Sequence, residues 1–242
     1  MRISLLIAVL LCLSIKSIGQ DLRIGLTTVE ERSFSNSLVR LDSVNVFEQT
    51  QNGASYLMPF VKVDWTLSER FYSSFGIQFY RSFVTLTASY TSELFPEHSP
   101  FISKGGLTTT NNFEFPVGVS YLLIKKKKFK LFLELSAVPV WSIQDFEPFD
   151  LEVPQGIDWT QEILDVINAV ETIPDPFYMN YQYGISVEYK RFGLTFFRAA
   201  NMSRSISTDY ELYGQSYNFQ RRIRSTRIGL YYSFGLKKKD RE

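Results

Sequence analysis

After the first twenty residues, apolar and polar positions alternate with period 2, which marks strands with one apolar and one polar face. The clearest run is 178–190. Met179, Tyr181, Tyr183, Ile185, Val187 and Tyr189 fall on one face, and Asn180, Gln182, Gly184, Ser186, Glu188 and Lys190 on the other. In 130–137, Leu131, Leu133, Leu135 and Ala137 oppose Lys130, Phe132, Glu134 and Ser136. In 112–123, Phe113, Phe115, Val117, Val119, Tyr121 and Leu123 oppose Glu114, Pro116, Gly118 and Ser120. Weaker alternation over 22–28, 56–66, 71–88, 192–196 and 219–234 predicts five more strands, with the phase of 71–88 lost near Arg81. That makes eight. The stretch 39–47 alternates in part, and predicts either a hairpin beyond the membrane or added strands.

The predicted connections alternate in length. Residues 67–70, 125–128 and 190–191 are short, whereas 29–55, 90–108, 142–177 and 204–218 are long. Up-and-down antiparallel strands place successive connections at opposite ends, so one end is tight and the other elaborate. The expectation is all-β: an eight-stranded up-and-down antiparallel transmembrane barrel with long extracellular loops, one of them holding a short helix. A soluble eight-stranded barrel around an apolar cavity is the competing reading. The polar faces, rich in Gly and Ser, and the strongly aromatic apolar faces favour the membrane.

Residues 1–19 predict a cleaved signal peptide, and 20–242 a single barrel domain. Arg2 supplies the positive start, 5–13 the apolar core, and Ser17 and Gly19 the small residues before the cut. The core is too short for a helical span, which needs about 20 residues; a buried N-terminal helix is the alternative. Cys12 lies inside the core and leaves with it.

Mean hydropathy is −0.08. This does not argue for solubility, because a membrane barrel shows lipid only alternate residues. Lys and Arg number 26 against 25 Asp and Glu, so no global charge attracts a nucleic acid. One His and one Cys leave no Cys/His zinc site and no disulfide framework.

With apolar faces in lipid, the inward faces carry Arg23, Lys62, Asp64, Glu114, Lys130, Glu134, Glu188 and Arg227, together with Gln78 and Lys190. An eight-stranded barrel is just wide enough for its side chains to fill. Isolated charges there are costly, so these residues predict a plug of ion pairs; a gated or narrow conduction path is the alternative. The connection 142–177 carries nine acidic residues and no Lys or Arg. Its centre reads as a helix capped by Asp158, with an apolar stripe of Trp159, Ile163, Val166, Ile167 and Val170. The stripe is expected to cover the barrel mouth, an adjacent loop, the membrane surface or a protein partner. Calcium would suit the acids, yet no EF-hand pattern is present. At the opposite end, 125–128 and 237–239 are lysine runs, expected to be solvated or to meet anionic phospholipid.

No enzyme is expected. The sole His, His98, has Ser99 as its neighbour, and adjacent side chains seldom reach the alignment of a base and its nucleophile. G-x-S-x-G, H-E-x-x-H and P-loop motifs do not occur. A lipid-modifying enzyme is the weakest alternative, behind a narrow channel or transporter for small solutes.

The segments SIGQ at 17–20, RIGL at 23–26, FPVGVSYLL at 115–123 and RIGLYYSFGLKKK at 227–239 resemble those of the outer-membrane β-barrel domain proteins of Bacteroidetes, the PorT-like family. The resemblance implies an eight-stranded outer-membrane barrel and no cofactor, and its name-giving member is implicated in protein secretion and gliding. The tail after Phe234, GLKKKDRE, departs from barrels that end on their terminal aromatic. Expected partners are outer-membrane lipids and a protein at the outer loops, with no nucleic acid, around a monomeric barrel.

Overall fold

A computed structural model describes residues 20–35, 39–41, 44–49, 54–90, 102–148, 177–202, 206–212 and 215–236. The elements are β1 (Gln20–Ser35), β2 (Val39–Leu41), β3 (Val44–Gln49), β4 (Ala54–Thr66), β5 (Phe71–Tyr90) and β6 (Ile102–Glu114), then β7 (Val117–Lys126), β8 (Phe129–Pro148), β9 (Phe177–Tyr189), β10 (Phe192–Asn201), β11 (Ile206–Leu212) and β12 (Gln215–Leu236). Every pairing is antiparallel. The ring runs β1, β4, β5, β6 with β7, β8, β9, β10, β12 and back to β1. β6 and β7 are one barrel strand, interrupted where Pro116 cannot donate to the ladder. Backbone bonds bridge the break, from Phe115 N to Pro139 O and from Gly76 N to Pro116 O, each 2.9 Å. The barrel therefore has eight strands and is closed.

Three tight turns lie at one end. Leu67 N and Ser68 N both donate to Phe71 O in the first. The second is Lys127–Lys128, and in the third Lys190 adopts a left-handed φ of 59°, as tight hairpin turns often require. Lys190 thereby leaves the inward face that period 2 assigns it. It is exposed, with its ammonium 5.7 Å from the centre of the Tyr189 ring. The phase of β5 also holds where the sequence pattern loses it. Arg81 faces outward 5.7 Å from the Phe83 ring, while Ser82 is buried.

At the other end the strands outrun their expected limits. β1 reaches Ser35, β8 reaches Pro148 and β6 starts at Ile102. β2 and β3 form a hairpin attached to β5, and β11 forms one with β12. Much of three expected connections is thus strand. The physical reason is that the ladder outlives the hydrophobic pattern once the chain leaves lipid. Asp145 and Glu147 of the acidic connection belong to β8. Its remaining acids and the stripe Trp159, Ile163, Val166, Ile167 and Val170 lie outside the described residues, as do 1–19 and His98.

Burial is inverted relative to a soluble protein. Glu114 is 0% and Arg227 1% exposed, whereas Leu230 is 67% and Phe192 69% exposed. Two outward aromatic rows bound the apolar belt in register. Phe129, Tyr189, Phe192 and Tyr232 pair across four strands at the tight end. Phe79, Phe113, Trp141 and Phe177 pair across four strands towards the loop end. Along β8, the twelve steps from Phe129 to Trp141, at 3.3 Å each and a strand tilt of about 40°, rise roughly 30 Å, the thickness of a hydrocarbon core. A charged interior inside such a belt is the architecture of an outer-membrane barrel, and lipid surrounds it.

Candidate functional site

The inward face is where the chemistry of this chain is concentrated. Alternation along each strand sends one parity inward, and closure brings those positions together across the ring. Eight of the nine charged residues expected there face the interior, four cations and four carboxylates, and Lys190 does not. Three groupings result.

Nearest the tight end, Lys130 Nζ lies 2.7 Å from Glu188 Oε1. Above it, Arg23 Nε stands 2.6 Å from Asp64 Oδ2 as an ion pair without hydrogen-bond alignment. Its Nη1 donates to Glu134 Oε1 at 2.9 Å. The guanidinium is sandwiched by rings, 5.0 Å from the centre of Phe132 and 4.9 Å from that of Tyr231. Lys62 pairs with Glu134 and lies 3.5 Å from Asp64 Oδ1, and Ser186 donates to Glu134. Two cations and two carboxylates thus satisfy one another, as charges withdrawn from water require.

The third grouping is a fork. Arg227 donates from Nη1 to Glu114 Oε2 at 2.6 Å and from Nη2 to Glu114 Oε1 at 2.8 Å. It also donates to Gln182 Oε1 at 2.9 Å and, from Nε, to Ser225 Oγ at 3.0 Å. Gln78 donates to the same carboxylate. This bidentate geometry is the strong form of the Arg–carboxylate pair.

Three inward rings lie across glycines on the neighbouring strand. Phe60 pairs with Gly25, Tyr231 with Gly193 and Phe197 with Gly184. A methyl group at Gly193 would come within 2.0 Å of the Tyr231 ring. The glycines of the inward face therefore make space for aromatic filling.

Of the side chains that fill the loop-end half, period 2 within the predicted strand limits places Met58, Tyr80, Tyr178 and Ile223 on the inward face and misses Val29, Val138 and Val140. Val138, Val140, Tyr178 and Ile223 form one buried cluster, and Val29, Met58 and Tyr80 another. Val138 and Val140 follow Glu134 and Ser136 in phase, so extending the β8 alternation past Ala137 would have found them. Polar bridges cross the same level: Ser142 Oγ donates to Asn112 Oδ1 at 2.7 Å, and Asn112 Nδ2 to Ser82 Oγ at 3.0 Å. Tyr80 donates to Glu31 Oε2 at 2.7 Å. A cavity of about 30 Å³, lined by Lys62, Gln78, Glu134 and Gln182 among others, lies within the barrel. It has room for about two waters. Among the described residues, no three His, Cys, Asp or Glu side chains are grouped to hold a metal.

No family model and no curated protein matches the chain. Solved structures similar to it include the outer membrane protein OprG from Pseudomonas aeruginosa, with 8% identity over 90% of this chain and 97% of that one, at a TM-score of 0.48. Ail, the attachment invasion locus protein of Yersinia pestis, gives 7% over 91% and 100%, at 0.41. The outer membrane protease OmpT from Escherichia coli gives 10% over 91% and 98%, at 0.40. Neither adhesion nor proteolysis passes to this chain at such distances. Its own burial pattern places it in a membrane.

Proposed function

We propose that this protein is a non-enzymatic outer-membrane barrel with a structural or interaction role, in which the barrel is an anchor and the loop end is the working surface. The observation that carries this reading is the filled interior. Three cations are matched to three carboxylates in the tight-end half, the Arg227–Glu114 fork lies level with Val29 and Val140, and buried apolar side chains fill the loop-end half around it. A pore needs a wet, continuous lumen, whereas such filling favours rigidity. The extension of β5, β6, β8 and β12 supports a partner at the loop end, since a bare anchor would end at the membrane surface. Sequence resemblance suggests a PorT-like protein of Bacteroidetes serving a secretion or surface assembly, exported by a cleaved signal at 1–19.

The test is planar-bilayer recording of the refolded full-length barrel. No stepwise conductance is expected from the wild type. Reproducible conductance whose ion selectivity changes in Lys62→Met or Glu134→Gln would replace the anchor with a narrow channel.

A further inference from the structure

The apolar belt is uneven in height. On β8 the outward positions remain apolar for seven alternate residues, from Leu131 to Ile143. β9 and β10 share the Lys190–Arg191 turn, so they start level. On β9 the outward side chains stay apolar or aromatic from Tyr189 to Phe177, twelve residues on. On β10 only Phe192, Leu194 and Phe196 precede Arg198, which is exposed on the lipid face. Six residues at a tilt of about 40° rise only about 15 Å, half of a hydrocarbon core.

The neighbouring strands repeat this. Outward on β12, Ile228 gives way to Thr226 and Arg224; outward on β1, Leu26 gives way to Thr28, Glu30 and Arg32. The register brings the cations together. Arg224 is the direct partner of Arg32, while Arg198 pairs with Thr226 and so lies diagonal to Arg224, about 7–8 Å away. Arg222 follows on the same face, its Nε buried without a hydrogen-bond partner. Among the described residues, Glu30 lies at this level, 3.1 Å from Arg32. Arg198 makes no ion pair among the described residues. Tyr183 is its direct partner across β9, stacked on Tyr181 with centroids 6.1 Å apart.

Arginine against acyl chains is destabilising, most of all at mid-depth. The cost is removed if the bilayer thins locally and a headgroup descends to meet the guanidinium groups. Phosphate matches their fork bidentately. We propose that the wall formed by β10, β12 and β1 is a docking site for the phosphate headgroup of an anionic lipid in the loop-side leaflet, gripped by Arg198, Arg224 and Arg32. The inference rests on the membrane-spanning barrel and is independent of the role at the loop end.

The experiment is native mass spectrometry of the full-length protein released from nanodiscs of phosphatidylcholine doped with diphosphorylated lipid A. Folding of each variant is checked by heat-modifiable gel migration. At roughly fivefold per arginine near a charged headgroup, Arg32→Gln/Arg198→Gln/Arg224→Gln should retain lipid A about a hundredfold more weakly. A quadruple glutamine variant of Lys125, Lys126, Lys127 and Lys128, which removes more charge at the tight end, should retain it as the wild type does. If the triple variant does not fold, Arg198→Gln alone should still show about the fivefold loss. Equal retention in the arginine variants, or equal loss in the lysine variant, overturns the site. So does full competition by inorganic phosphate, which would indicate a small-anion site instead of a lipid one.

Discussion

The two halves of the barrel interior are built on the same strands with the same inward parity, yet they are filled by different chemistry. β8 contributes Glu134 and Ser136 to one half and Val138 and Val140 to the other. β4 contributes Asp64 and Lys62 towards the tight turns, then Phe60 and Met58 towards the loops. Charges demand partners at set distances, so the tight-end half, and the Arg227–Glu114 fork where it meets the apolar clusters, are specified group by group. Apolar side chains demand only volume, so the loop-end half is specified by packing, with Asn112 and Asn180 bridging strands where amide bonds are needed. Both halves fill the narrow space between walls. The first should fail sharply when one member is lost, and the second in proportion to the volume removed.

Arg227→Met should produce the largest effect, because it leaves Glu114 buried and unpaired; a loss of about 3–5 kcal/mol is expected in urea unfolding from lipid. Adding Glu114→Met should recover most of it, since an apolar pair needs no partner. A single variant costing less than its double would show that charged and apolar filling do not differ. Met58→Ala in the apolar half should cost about 3 kcal/mol by the same assay, and no second-site change of charge should restore it. Gly193→Ala tests the aromatic filling between them. The added methyl meets the Tyr231 ring, for an expected loss of about 1–3 kcal/mol, and Tyr231→Leu in the same chain should relieve part of it. Tyr80→Phe removes only the hydrogen bond to Glu31 and should cost about 1 kcal/mol. Lys126→Gln, in the exposed lysine run, should stay within about 0.5 kcal/mol of wild type and so sets the baseline.

A second contrast concerns the outer wall. Between β9 and β10, neighbours through one turn, the belt falls from a full membrane height to about half of it at Arg198. Each strand read alone is a good alternating segment. Only pairing reveals that Arg198, Arg224 and Arg32 come together, because they are far apart in sequence and on three different strands.

How much was legible follows from which signals are local. The direction of Leu133, Tyr183 and Ile228 towards lipid could be read directly, because a strand side chain's face is decided by parity alone. Strand limits were legible only where lipid enforces alternation. β1 beyond Thr28, β8 beyond Ile143 and β12 before Phe219 are held by backbone bonds to β12, to β6 and to β11, which leave no mark on polarity. Lys190 was misassigned because a left-handed turn residue cannot be told by period from the last residue of a strand. Membership of the interior charge set was also readable, apart from Lys190 and from Glu31, which lies beyond the predicted limit of the first strand. Who pairs with whom was not.

The amino-acid sequence by itself therefore determined that this chain is a barrel of eight alternating strands, tight at one end, with its charges on the face opposite its aromatics. Those properties depend on residues one to four positions apart. Only the tertiary structure decided that Arg23 meets Glu134 across 111 residues and Arg227 meets Glu114 across 113. It also decided that rings lie over glycines, and that three arginines share one low stretch of wall. The physical reason is register: closure and stagger of the ring set which inward positions share a level, and those depend on every strand at once.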